Sequence, residues 1–430
     1  MLDKKRSNEP SLAMNFPQFF RLRQQFRGPK LDDVASEVHE ALGGLSLGSK
    51  ISAGQSVAIT AGSRGISNID VILRAVVKHL QDLGAEPFLV PAMGSHGGGT
   101  VEGQVGVLRT LGITEAAMGC PIRASMETVV VCHAPEGFPI YCDRHAFEAD
   151  HLLVCNRVKP HTMFTGNIQS GLFKMMFTGL GKHDGARTYH QAAVNFPFPQ
   201  IVRGIGAAVI EKCSVVAGLT IVENGRNETA RIQAILPGDF ERRESEELAL
   251  ATEWMCKLPF EDADILLLDE IGKTISGTGM DTNVVGRKFN DHAATEEETP
   301  KIRRIAVRSV IHGNGNGLGI AEFCTRRAIE MTDLEQTRVN SLTSNHPAAG
   351  MLPHDYQTDR EMLQAALGTI GLATPEEARI VWARNTKDLE EIACSTAYLE
   401  EAKARDDLEV LGPPFELPWD EQGDLPQHVA

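Results

Sequence analysis

Residues 55–93 read QSVAITAGSRGISNIDVILRAVVKHLQDLGAEPFLVPAM, and this stretch decides the fold class. The apolar run QSVAITAG predicts a buried strand that ends at SRGISN. NIDVILRAVVKHLQDLG then places Ile69, Ile72, Leu73, Val76, Val77 and Leu80 at helical spacing, with Gly84 positioned to stop the helix. EPFLVPAM is a second apolar strand, closed by GSHGGGT. A strand, a helix of this length and another strand make a βαβ unit, whose two strands lie parallel.

The same rhythm continues downstream. TVEGQVGVLRTLG and FPQIVRGIGAAVIEKC predict helices, while TVVVCHA, HLLVCNRV and SVVAGLTIVENG predict strands. A long charged helix, ERRESEELALATEWMCKL, leads to a second set: strands in ADILLLDEIG, RIAVRSV and ARIVWARN, and a helix in REMLQAALGTIGL. The expected organisation is a flexible arm over 1–30, an α/β domain over 31–255, a second α/β domain over 256–415 and a solvated tail over 416–430. Both sheets are expected to be mostly parallel, with the active site in the cleft between the domains.

The totals narrow the function. A chain of 430 residues with 42% hydrophobic and 23% charged residues has the composition of a globular protein. A formal charge of −15 argues against nucleic acid or an anionic membrane as partner, since both would repel it. No two of the eight cysteines form a C-x-x-C, and no apolar run is long enough to cross a bilayer. A reducing, cytoplasmic setting is expected.

The chemistry-bearing residues follow the apolar strands. Arg64 lies in AGSRGIS and suits a carboxylate clamp, although a solvated turn would also use it. His96 lies in GSHGGGT, which lacks the GK[ST] ending of a phosphate-binding P-loop. The run from Asn156, NRVKPHTMFTGNIQSGLFKMMFTGLGKHDGARTYH, holds His161, Lys174, His183 and His190. His161 suits acid–base work, and Lys174, among apolar neighbours, suits a desolvated amine unless it reaches out to solvent. Gly185 argues against one continuous helix from His183 to His190. DEIGKTISGTGMD supplies Glu270 and Lys273. No GxSxG, HExxH or dinucleotide fingerprint occurs, and the histidines alone make a poor metal site.

Taken in order, AGSRGIS, PAMGSHGGGT, VKPHTMFTGNIQSGLFKMMFTGLGKH and DEIGKTISGTGMDTNVVGR resemble the lactate racemase superfamily, in a branch of homologues apart from the characterised lactate racemases. The resemblance spans about 55–290. It implies a nickel-pincer nucleotide, a pyridinium-derived group tethered through a thioamide to Lys174 and holding nickel by one carbon and two sulfurs. His190 would complete the metal's coordination, with His183 in reserve. His96 and His161 would be the acid–base pair for a hydride shuttle that racemises or epimerises a 2-hydroxy acid. Arg64, Lys273 and Glu270 would face that substrate.

Three departures mark this chain. Ala61-Gly62-Ser63-Arg64-Gly65 lacks the family's aspartate and proline, the span from His161 to Lys174 is long, and Glu270 stands where a glutamine is expected. The implied partners are a small 2-hydroxy acid and the enzymes that make the cofactor. Two further readings stay open: a non-catalytic carboxylate- or nucleotide-binding protein on the same scaffold, and a lyase or isomerase using Lys174 as a Schiff base.

Overall fold

The computed structural model describes residues 15–343 and 346–427, apart from the side chains of His190 and Thr343. Its strands run from β1 (Phe19–Gln24) through β2 (Ser56–Ala61), β3 (Glu86–Pro91), β4 (Thr128–His133), β5 (Pro139–Asp143), β6 (His151–Arg157), β7 (Val215–Glu223) and β8 (Thr229–Ile235). The second half adds β9 (Asp262–Leu268), β10 (Lys301–Val307), β11 (Phe323–Thr325), β12 (His354–Tyr356), β13 (Ile380–Ala383), β14 (Glu391–Ser395) and β15 (Leu408–Phe415). The chain divides into two compact α/β units, one of Phe26–Met255 and one of Cys256–Ala430 together with the residues up to Gln25. Among the described residues no helix is long and apolar enough to cross a membrane.

In the unit of Phe26–Met255 five strands form one sheet in the order β3-β2-β6-β7-β8. The first four are parallel, and β8 pairs antiparallel on β7 as an edge. Apolar residues on both faces explain the unbroken hydrophobic runs of β2, β3 and β6, because a parallel sheet is covered on both sides. Val57 and Ile59 meet Ile72, Leu73 and Val76 of the helix Ile69–Asp82 on one face. Ala58, Val90, Leu152 and Val154 meet Leu172, Phe173, Met176 and Phe177 on the other. The apolar SGLFKMMFTGL run is therefore a core layer, and each of those four side chains contributes on the order of 1.5–3 kcal/mol by burial. TVVVCHA forms β4 but stays out of the main sheet, pairing antiparallel with β5 as a separate ribbon.

The other unit has an eight-stranded sheet in the order β12-β11-β10-β9-β13-β14-β1-β15. From β12 to β13 the strands are parallel, and the β13–β14, β14–β1 and β1–β15 pairings are antiparallel.

Two expectations are corrected here. Residues 19–24, expected in a flexible arm, form β1 in the middle of an antiparallel ribbon. Phe19, Phe20 and Leu22 are wholly buried, and Arg21 and Arg23 pair with Glu391 and Glu409 on the neighbouring strands. The segment after residue 415, expected as a solvated tail, packs Leu417 and Leu425 into the cluster around Trp382. Its backbone is held by Arg308, which is buried, pairs with Asp359 at 2.6 Å and with Asp269, and donates to the carbonyls of Leu425 and Pro426 at 2.6 and 2.9 Å.

Removing one member of such a buried network strands its partner's charge. Asp359→Ala should lower unfolding stability by about 3–5 kcal/mol and expose residues after Phe415 to proteolysis. Denaturant titration and mapping of early cleavage sites check this.

Candidate active site

Because β2, β3, β6 and β7 are parallel, the loops that follow them emerge on one edge of the sheet. Ser63 and Arg64 follow β2, His96 follows β3, Lys159 and His161 follow β6, and Glu223 closes β7. The loops are braced to one another. Ser63 Oγ and His96 Nδ1 share a short hydrogen bond. Glu223 pairs with Arg157 and accepts the Ser67 N–H at 2.7 Å.

Lys174 ends the helical turn Gly171–Lys174, which passes into a π-helical turn over Met175–Gly179. Such π-turns often mark functional sites. The segment is tied to the strand-end loops: Asn156 Nδ2 donates to the Gly171 carbonyl at 2.7 Å, and Gly94 N donates to the Gly179 carbonyl at 3.2 Å. The Ser170 hydroxyl bridges the Lys159 backbone, donating to its carbonyl at 2.6 Å and accepting its N–H at 2.7 Å.

Lys174 is half-buried, and its ammonium has no hydrogen-bond or ion-pair partner among the described residues. Burial, with Arg64, Lys159 and Arg157 adding repulsion, lowers its pKa from 10.5 to about 7. Near neutral pH a large fraction of this amine is therefore unprotonated and nucleophilic. Arg64 has its own pKa lowered, by desolvation and by Arg157, although its side chain reaches solvent. A guanidinium stays charged at any working pH.

His161 is half-buried, and its ring is fixed on several sides. Nδ1 accepts the N–H groups of Met163 and Phe164 at 3.0 and 3.1 Å, and the ring stacks on Phe164 at 4.2 Å. Its backbone N–H donates to Gln169 Oε1 at 2.9 Å. Phe164 in turn stacks on Phe198.

His183 and His190 both lie on the helix Lys182–Asn195. The helix runs through Gly185, against the expectation of a break; the glycine answers a packing need, since a Cβ there would lie 2.9 Å from Tyr189 Cε2. His183 is exposed beside Gly99, and the side chain of His190 lies outside the described residues. Among the described residues no three histidine, cysteine or carboxylate groups converge to hold a metal. Glu270 and Lys273 belong to the other unit, in the loop after β9. The Glu270 carboxylate is already engaged by Arg384 at 2.9 Å and Asn385 at 3.0 Å.

Two residues of this site were not singled out from the sequence. Lys182, next to His183, is wholly buried. It pairs with Asp143 at 3.0 Å, donates to the Pro91 carbonyl at the end of β3, and donates to Gln104 Oε1 at 3.3 Å. Gln104 Nε2 holds the Gly94 carbonyl at 2.9 Å and that of His96 at 3.4 Å. The glycine loop carrying His96 is thereby pinned onto the helix Val101–Thr110 so closely that a Cβ on Gly103 would lie 1.8 Å from the Gly97 carbonyl oxygen.

Glu244, from the charged helix Phe240–Trp254, is the second. Its buried carboxyl accepts the Leu172 N–H at 2.6 Å and the Phe173 N–H at 3.3 Å, capping the lysine-bearing turn. Gly171 at φ +67° leaves room for it, since a Cβ there would meet Glu244 Cδ at 2.6 Å. Burial raises the Glu244 pKa to about 8 against the pull of those two N–H groups.

Two predictions follow from these charges. Lys174 should be acylated by a limiting amine reagent with a midpoint near 7, and Arg64→Gln should move the midpoint upward by removing a repelling cation. Peptide mapping across pH checks both. A carboxyl whose pKa is raised on folding binds more protons folded than unfolded, so its ionisation costs stability as pH rises from about 4.5 towards 8. Between pH 5 and 7, Glu244→Gln should therefore gain on the parent protein by on the order of 2 kcal/mol, read as melting temperature against pH.

No family model matches the sequence, and no curated protein does. Among solved structures the fold is similar to the lactate racemase apoprotein from Thermoanaerobacterium thermosaccharolyticum, with a TM-score of 0.46 and 13% identity over 78% of this chain and 95% of that one.

Proposed function

We propose that this protein racemises or epimerises a 2-hydroxy acid with a nickel-pincer nucleotide tethered at Lys174. One observation carries the reading: a half-buried amine of pKa about 7, walled by cations, on the strand-end edge whose loops bear His96 and His161. The motif resemblance from 55 to 290 supports it independently of that geometry.

The donor set fits such a group. An unprotonated lysine amine can be acylated or thioacylated, and Arg64 and Lys159 suit the negative charge of a nucleotide phosphate and pyridine carboxyl groups. His190 would supply the protein's metal ligand, with His183 in reserve. When bound, the cofactor supplies a carbon that accepts a hydride.

The chain's own residues then bind and orient. Arg64 holds the substrate carboxylate, countering the protein's net negative charge. Ser63 orients His96 for proton exchange with the 2-hydroxyl.

The same nucleophilic lysine would also serve a Schiff-base lyase or isomerase, and one experiment separates the readings. Protein made alongside the cofactor-making enzymes should carry nickel and an added mass that maps to Lys174, both lost in Lys174→Ala. His161→Ala should keep the nickel and lose turnover by at least about 10²-fold. Nickel retained in full by Lys174→Ala refutes the tether, and borohydride trapping of a substrate on Lys174 moves the function to the Schiff-base class.

A further inference from the structure

We propose that Glu244 is the positioning residue for Lys174: acting as a hydrogen-bond acceptor through a single oxygen, it fixes the lysine-bearing turn on the sheet and so sets how readily that amine is acylated. This deepens the tether reading above and rests on it only for what becomes attached.

The first N–H groups of a helical turn have no acceptor within it. The hydroxyl placed to serve them is that of Ser170, just before the turn Gly171–Lys174, but it is engaged by the backbone of Lys159. Glu244 takes over from a distant helix, accepting the N–H groups of Leu172 at 2.6 Å and Phe173 at 3.3 Å on the same oxygen, Oε2. Its other oxygen, Oε1, is buried with no hydrogen-bond partner among the described residues. An ionised carboxylate would leave that second oxygen charged and bare, which is costly away from water. What the turn uses is therefore one acceptor and not a charge. The raised pKa of Glu244, about 8, agrees, since near neutral pH most of the group is the uncharged acid.

The helix Phe240–Trp254 that carries Glu244 is itself fastened to the sheet. Phe240 and Leu172 meet over Gly218 of β7, where a Cβ would lie 2.4 Å from Leu172 Cδ1 and 2.8 Å from Phe240 Cζ. Further along, Leu248 and Ala251 pack with Val158 and Val222, and Glu247 pairs with Arg231 of β8 at 2.8 Å. Glu244 thus holds the turn from a fixed support. Lys174 directly follows Phe173, so a shift of the turn moves the amine. Held in place, the amine is half-buried, with Arg64, Lys159 and Arg157 as its charged neighbours. Released, it would reach water, where a lysine regains its ordinary affinity for a proton.

Amine acylation of the full-length, cofactor-free protein tests this, with Lys174 followed by peptide mapping across pH and the Leu172 and Phe173 amides by hydrogen exchange. Glu244→Ala should raise the Lys174 midpoint by at least about one pH unit, cut its labelling at pH 7 by at least about fivefold, and speed exchange of the two amides. Glu244→Gln keeps an acceptor oxygen without a charge and should restore the parent midpoint and protection. A loss of stability alone would leave the midpoint of the folded molecules where it was. Should the alanine variant not fold, Glu244→Asp takes its place, because its oxygens fall one methylene short of the turn and the midpoint should again rise. A folded alanine variant, or aspartate in its place, that keeps the parent midpoint overturns the proposal. So does a folded glutamine variant that shifts as far as that variant. Nickel and added mass on Lys174, in protein made alongside the cofactor-making enzymes, decide the tether separately: their absence from a parent whose variants behave as stated refutes the proposed function and leaves the positioning role standing.

Discussion

The candidate site depends on a lysine that does no chemistry in it. Lys182 carries an ammonium into a place without water, where an isolated charge would cost several kcal/mol. It is tolerated because Asp143 answers the charge while the Pro91 carbonyl and Gln104 take its hydrogen bonds. Each of these contacts reaches a different element: the ribbon strand β5, the end of β3, and the helix that supports the glycine loop. The Gln104 amide then fixes the two loop carbonyls that flank His96. Breaking this hub would free the loop from the sheet edge, and with it the Ser63–His96 contact.

A second constraint acts on the lysine-bearing turn. Its apolar residues are buried against the sheet, so the turn must cross the strand ends at close quarters. Its first N–H groups are then cut off from water and need acceptors. Glu244 supplies them from a distant helix, at the cost of burying a carboxyl whose pKa rises as a result. Opposed shifts meet across one short turn: the capping carboxyl is pushed towards neutrality from one side, and the lysine amine from the other. Neither group gains from its own burial. Both shifts come from packing that core apolar residues drive.

How much of this was legible in the residues varies with the range of the interaction. β2, β3, β6, β7, β9, β10 and β13 show as apolar runs because a parallel strand covered on both faces has no polar side to disguise it. β1 does not. Its FFRLRQ pattern has the alternating charges of an exposed ribbon face, and its partners lie some 370 residues away in sequence. The glycine loop was legible as a loop, but its anchor Gln104 sits in a helix of ordinary composition. Glu244 was one carboxylate among several in a charged helix, and nothing in that local pattern distinguishes the buried face. The long span from His161 to Lys174, conspicuous in the sequence, includes the turn whose Met163 and Phe164 amides hold the histidine ring.

The sequence by itself determined the α/β class, the parallel core of both sheets, and which loops gather the polar residues, since strand period, helix period and strand-end placement are local or follow from chirality. It also singled out Lys174 by its apolar neighbours. Only the tertiary structure decided that Lys182 is a buried anchor, that Lys174 is the amine brought near neutrality, and that the Met163 and Phe164 amides hold the His161 ring. Those outcomes depend on desolvation and on partners from other elements, and a charge's surroundings in three dimensions do not follow from its neighbours along the chain.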